Sequence, residues 1–247
     1  MTGLAGKRVL ITGGGTGVGA DLARGFAAAG AEVVIAGRRM APLAEVADRL
    51  PGTRAVQADV TDEASVQAMF AQAGPCDIVI ANAGASDSAP VGKVTLDHWN
   101  AMLAVNLTGT FLTFREGVRQ MKGWGRLIAV ASTAGLKGYA YVAPYAAAKH
   151  GVVGLVRSMA LEVAKKPVTV NALCPGFLDT EMTERSIANI MDKTGKDRAF
   201  AIGALTATNP QGRLVQPDEV TAAALWLCGP GSDAMNGQAI AIAGGEV

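Results

Sequence analysis

The sequence predicts an α/β fold: a doubly wound parallel sheet of seven strands with helices on both faces. Three observations predict it. Short apolar, β-branched runs alternate with longer stretches of helical periodicity along all 247 residues, and parallel strands need crossover helices between them. A glycine-rich turn joins the first run to the first helical stretch. Half of the residues are apolar but only 5% are aromatic, which suits buried parallel strands under closely packed helices.

The strand pattern falls at Arg8–Thr12, Glu32–Ala36, Arg54–Gln57, Asp77–Ala81, Leu127–Ala131, Val168–Leu173 and Gln238–Ile242. Each run is long enough to cross a sheet once. Helical periodicity covers Gly17–Ala29, Pro42–Leu50, Glu63–Ala73, Leu96–Met121, Val142–Lys165 and Pro217–Cys228. No repeat, linker or low-complexity tract divides the chain, so residues 1–247 are expected as a single domain. One stretch breaks the alternation. From Pro175 to Gln216 roughly forty residues separate a strand from the next long helix, where two to six is usual. Its amphipathic pieces, Glu181–Asp192 and Asp197–Leu205, predict a substrate lid around 176–216, because ligands bind at the carboxyl ends of parallel strands. The other use for such an excursion is a contact between subunits.

A net charge of +1 offers no electrostatic footing for nucleic acid or an anionic membrane. The longest uncharged stretches, such as Ala199–Gly212, fall short of the run of about eighteen apolar residues that a membrane helix needs. The chain enters its first strand pattern without a signal-peptide core, so a cytoplasmic protein is expected. Cys76, Cys174 and Cys228 are widely spaced and odd in number, which argues for buried thiols over a disulfide framework. His98 and His150 lack ligand-spaced partners, so no metal site is expected.

The turn Thr12-Gly13-Gly14-Gly15-Thr16-Gly17-Val18-Gly19 lies between a strand and a helix. In that context Gly13, Gly17 and Gly19 permit a tight turn, close approach to a pyrophosphate and packing on the strand. The helix N-terminus then offers free N–H groups to phosphate. An NAD site usually carries an acidic residue at the end of the second strand. Here that place reads Ala36-Gly37-Arg38-Arg39. Arg38 can pair with a 2′-phosphate, so NADP(H) is the expected cofactor and NAD(H) the alternative; an arginine pair capping a strand end is the plainer use. Asp59 and Val60, ending the third strand, are expected at the adenine, and Asn82-Ala83-Gly84 against the adenosine.

The reacting centre is read from Tyr145 and Lys149, four residues apart on a helix and therefore on one face. A phenol ordinarily titrates near ~10, and a neighbouring ammonium favours its ionised form. Tyr139 and Tyr141 have no lysine in register, which selects Tyr145 and leaves the other two to line a substrate pocket. Ser132, at the end of the fifth strand, is placed to bond a substrate oxygen; a strand-end cap is its bland role. Asn106 sits inside a helical pattern that disfavours it. It either holds a water for proton relay or is a buried amide bonded to backbone.

With these residues assembled, the chain closely resembles the short-chain dehydrogenase/reductase family, and its C-terminal half is similar to the 3-oxoacyl thioester and polyketide ketoreductases. The matching motifs are Thr12-Gly13-x-x-x-Gly17-x-Gly19, Asp59, Asn82-Ala83-Gly84, Asn106, Ser132, Tyr145-x-x-x-Lys149, Pro175-Gly176 with Thr180, and Gly212-Arg213 with Pro217. The family often has two asparagines before Ala-Gly; here the first is Ala81. The resemblance implies a tetrad of Asn106, Ser132, Tyr145 and Lys149, with Lys149 also on the nicotinamide ribose. It further implies that Pro175, Gly176, Phe177 and Leu178 hold the carboxamide with Thr180, and that the protein is a homotetramer. The implied activity is NADPH-dependent reduction of a ketone, of 3-oxoacyl type. Lys122, Lys165 and Lys166 are candidates to receive an acidic carrier or a CoA phosphate. Two other activities compete: NAD-dependent oxidation of a cyclic or aromatic secondary alcohol, and a non-catalytic redox regulator, which an intact tetrad disfavours.

Overall fold

The computed structural model describes residues 3–247. Seven strands form one sheet: β1 (Arg8–Thr12), β2 (Glu32–Gly37), β3 (Arg54–Gln57), β4 (Ile78–Ala81), β5 (Gly125–Val130), β6 (Val168–Pro175) and β7 (Ala239–Ile242). Their order is β3-β2-β1-β4-β5-β6-β7, and each adjacent pair is parallel. The chain winds outward from β1 to β3, then returns beside β1 to build the other half. A crevice opens where that reversal parts the connections, above the carboxyl ends of β1 and β4.

Both faces of the sheet are covered, so its strands are apolar on both sides. Leu10, Val34, Val79, Leu127 and Val170 pack under α3 (Glu63–Ala73), α5 (Gly109–Gln120) and α6 (Ala143–Val163) through Phe70, Leu112 and Val152. On the opposite face Ile11, Ile35, Ile80 and Ile128 meet α1 (Gly17–Ala28), α2 (Met40–Arg49) and α9 (Pro217–Leu227) through Phe26, Leu43 and Val220. Fully burying side chains of this size contributes roughly 1.5–3 kcal/mol each. Truncating one to alanine, Phe26 for example, would cost about 3–5 kcal/mol.

The predicted elements recur with small shifts at their ends. β6 runs on to Pro175 because it stays paired with β7 up to Ile242. The expected helix Leu96–Met121 is divided: α4 (Leu96–Leu103) passes through a π-helical turn at Ala104–Thr108 before α5 begins. Inside that widened turn the Asn106 side chain donates to the Met102 carbonyl at 3.0 Å. The excursion after β6 folds as two helices, α7 (Glu181–Thr194) and α8 (Arg198–Thr206), joined by the paired guanidinium and carboxylate of Arg198 and Glu184. Among the described residues, no helix is long and apolar enough to cross a membrane.

Candidate active site

A cleft of about 700 Å³ lies over the carboxyl ends of the central strands, floored by the glycine turn and roofed by α7 and α8. The turn is shaped by steric need. Gly13 and Gly17 have φ of +69° and +50°, where a side chain is strained. A Cβ on Gly19 would collide with the Gly13 carbonyl, so only glycine lets α1 start against β1. Asn82 braces this turn: its side chain donates to the carbonyls of Thr12 and Gly13 at 2.9 and 3.2 Å. The Thr12 hydroxyl accepts from the backbone N–H groups of Asn82 and Ala83, each at 3.1 Å. The side chain of Asn82, expected against adenosine, is thus taken up in joining β4 to β1. No single-residue reading shows Thr12, because its role depends on a strand seventy residues away.

Two helix N-termini open on the same cleft. Thr16 precedes α1 and Thr180 precedes α7, and neither caps its helix with its own side chain. Unpaired N–H groups at both ends therefore face the space where a pyrophosphate and an amide would lie. Gly17 and Thr180 stand together at that junction, a Cβ on the glycine lying 3.4 Å from Thr180 Cγ2. Val18, Ala83, Gly84, Pro175, Gly176, Phe177 and Leu178 also line the cleft. These donors and this bare backbone fit a nicotinamide dinucleotide. Arg38, Asp59 and Val60 do not line it; they lie past the edge of β1, at the ends of β2 and β3. Burial opposes the charge of Asp59, but hydrogen bonds from the Thr61 N–H and hydroxyl, with Arg38 nearby, hold its carboxyl below the ordinary range.

Ser132, Tyr145 and Lys149 line the opposite wall together. β5 ends at Val130, one residue before the expected Ala131, and Ser132 caps a 3-10 turn by accepting from Ala134 N–H at 3.1 Å. Gly135 in that turn abuts α6, where a Cβ would lie 2.7 Å from the Lys149 carbonyl, and this contact places Ser132 beside the helix. Lys149 Nζ sits 5.5 Å from the Tyr145 ring centroid and donates to the Val130 carbonyl at 2.9 Å. Burial raises the Tyr145 phenol above its usual value, against a hydrogen bond with Ser132 that favours the phenolate. Burial also lowers Lys149 to about 8. Desolvation, and not the expected pull of Lys149, therefore sets the direction of the phenol's titration.

Asn106 is fully buried, and its amide is committed to backbone. It donates to Ala85 O at 2.9 Å as well as to Met102 O, and accepts from Ala85 N–H at 3.3 Å. Of its two expected uses, the geometry realises the buried amide. A Cβ on Gly84 would lie 2.8 Å from Asn106 Oδ1, so this glycine allows the contact.

The substrate side holds residues that sequence reading missed. Tyr139 lines the cleft as expected, yet its hydroxyl is engaged with Thr133 and Glu246. Tyr141 stands at the mouth with φ of +68°, its carbonyl accepting from Ala89 N–H at 2.8 Å. A bulky residue in that conformation stores about 1–3 kcal/mol of strain. Glu246 had no signal in the sequence, because only the folded C-terminal segment brings it behind the cleft wall, against Tyr139 and Thr208.

The short chain dehydrogenase family model matches residues 7–190. A D-β-hydroxybutyrate dehydrogenase of Cupriavidus necator is 38% identical over 236 residues, covering 91% of both chains. A 3-oxoacyl-[acyl-carrier-protein] reductase of Aquifex aeolicus is 33% identical over 254 residues, covering 98% of each. The crystal structure of an actinorhodin polyketide ketoreductase variant with NADPH superposes with a TM-score of 0.91 at 32% identity, over 97% of each chain. With this extent of match and a dinucleotide-shaped cleft, the chain belongs to the short-chain dehydrogenase/reductase family and is a nicotinamide-dependent oxidoreductase.

Proposed function

We propose that this enzyme reduces a ketone of 3-oxoacyl type with NADPH. The observation that carries the reading is the meeting of Tyr145, Ser132 and Lys149 in one wall of the cleft that two uncapped helix N-termini share. Bound there, the nicotinamide would supply the hydride. The Tyr145 phenol, raised by burial, is suited to give a proton to the ketone oxygen. Ser132 Oγ, in the same wall as Tyr145, is placed to hold that oxygen beside it. Lys149 is assigned to the nicotinamide ribose, and Asn106 to positioning, by fixing the Ala85 backbone next to Gly84. Thr180 and the Pro175–Leu178 backbone are assigned to the carboxamide, Gly13, Thr16, Gly17, Val18 and Gly19 to the pyrophosphate, and Asp59, Val60 and Asn82 to Gly84 to the adenosine.

Preference for NADPH rests on Arg38, exposed at the end of β2, where the stretch Ala36-Gly37-Arg38-Arg39 has no acidic residue. All 247 residues act as one domain in this reading, with α7 and α8 as the lid. A tetramer is supported by the apolar side chains left outside on α4, α5 and α6: Leu96, Phe111 and Leu161 are 72%, 41% and 81% exposed. A cytoplasmic site of action agrees with three free, buried cysteines. Steady-state turnover of 3-oxoacyl thioesters, diketones and cyclic alcohols with both cofactors tests the proposal. Reduction of 3-oxoacyl thioesters with NADPH as the best pairing is the expected result; cyclic alcohols oxidised best with NAD would replace it.

A further inference from the structure

The C-terminal segment places one carboxylate behind the substrate wall. The Glu246 side chain is 2% exposed, and three groups converge on its Oε1. Lys137 Nζ lies at 3.1 Å, the Tyr139 hydroxyl at 2.7 Å, and the Thr208 hydroxyl makes a short hydrogen bond. A carboxylate accepts only, so the single proton of Tyr139 goes to Glu246 and its oxygen accepts from Thr133, 2.6 Å away. Burial opposes ionisation of Glu246, but bonds from Thr208, Tyr139 and Lys137 outweigh it and hold the carboxyl below its usual value. One charged oxygen thus joins the chain end, the segment following α8 and a tyrosine of the substrate wall.

That arrangement also sets the charge of the substrate end. Among the described residues Lys149 is the only cation lining the cleft, and it faces the reacting end. The walls away from it carry no cation: Tyr139, Tyr141, Ile190, Leu205 and Thr208 are neutral, and Glu181 adds a carboxylate on the lid side. Lys137, outside that lining, lies 5.1 Å from the Tyr139 ring centroid and is committed to Glu246. A substrate carboxylate entering this space would lose its water and find no partner.

We propose that Glu246 is a positioning and specificity residue that, by holding Lys137, Tyr139 and Thr208, makes the pocket select neutral ketones over 3-oxo acids. This rests on the ketone-reductase reading of the cleft. Thr208 fixes the far end of the lid, Tyr139 fixes the wall, and the pairing keeps the Lys137 charge away from the substrate. Glutamine at this position can still accept from both hydroxyls but no longer neutralises Lys137.

The test compares ethyl 3-oxobutanoate with 3-oxobutanoate, by kcat and KM with NADPH and by calorimetric binding that needs no turnover. Wild type is expected to favour the ester by about tenfold or more. Glu246→Gln should narrow that ratio at least about threefold, through a lower KM for the acid and with kcat for the ester little changed. Glu246→Ala should speed tryptic cleavage at Lys193, Lys196 and Arg198 in the cofactor-free protein, because Thr208 is released. Equal handling of acid and ester by wild type, or a ratio untouched in Glu246→Gln, overturns the assignment. If neither compound is reduced yet the ester still binds more tightly, the ketone-reductase reading fails and this one survives; equal binding sinks it.

Discussion

Lys149 stands one helical turn after Tyr145 with its Nζ 5.5 Å from the ring centroid, yet its hydrogen bond goes to the Val130 carbonyl at 2.9 Å. Among the described residues no carboxylate pairs with this buried ammonium. That costs folding stability, and the cost depends on pH. The group titrates at about 8 in the folded protein against 10.5 for an ordinary lysine. Below about 8 both folded and unfolded chains carry the proton and the penalty is constant. Between about 8 and 10.5 the unfolded chain keeps a proton that the folded chain has lost, so stability rises with pH.

Lys149→Met lacks that titration. Its stability relative to wild type should therefore fall by up to about 3 kcal/mol as the pH rises from 7 towards 10.5. Urea unfolding of both cofactor-free proteins along this range measures it. A difference that does not move with pH would show that Lys149 is not buried as a cation.

Tyr145→Phe should abolish turnover while leaving NADPH affinity within a few-fold. The phenol is set beside Ser132, whereas the uncapped N-termini assigned to the dinucleotide belong to α1 and α7. Residual kcat above roughly a tenth of wild type would mean that another group gives the proton.

Cofactor choice is expected to turn on the end of β2. Replacing Gly37 by Asp and Arg38 by Leu should reverse the preference towards NAD. A 2′-phosphate would lose its guanidinium and meet a carboxylate, and each lost charge-assisted bond costs roughly 1.5–3 kcal/mol. The comparison is kcat/KM with NADPH and NADH in both proteins. Wild type working better with NADH would refute the role of Arg38.

The exposed apolar side chains of α4, α5 and α6 predict assembly. Light scattering at micromolar concentration should give about four times the 25.1 kDa of one chain. Leu161→Glu, placing a charge at a position 81% exposed in the single chain, should lower that mass if α6 lies in an interface. A wild-type mass of one chain rejects the tetramer.

The sequence alone determined the layering and much of the reacting wall. Apolar runs of four to six residues between helical periods leave few options beyond a covered parallel sheet, because every strand needs a crossover and both faces must be buried. The relation of Tyr145 to Lys149 is also local, set by the four-residue spacing of one helix. Tertiary structure decided what depends on distant segments. Thr12 and Asn82 brace each other only because β1 and β4 are neighbours. The π-helical turn at Asn106 lies within a stretch whose sequence pattern is simply helical, and its side chain bonds the Ala85 backbone in the segment after β4. The resting state of Tyr145 was also a tertiary matter: spacing brought an ammonium near, but burial of both groups set the direction of each titration. Glu246 shows the same limit most plainly, since a carboxylate next to the last residue of a chain carries no pattern until folding sets it against Lys137, Tyr139 and Thr208.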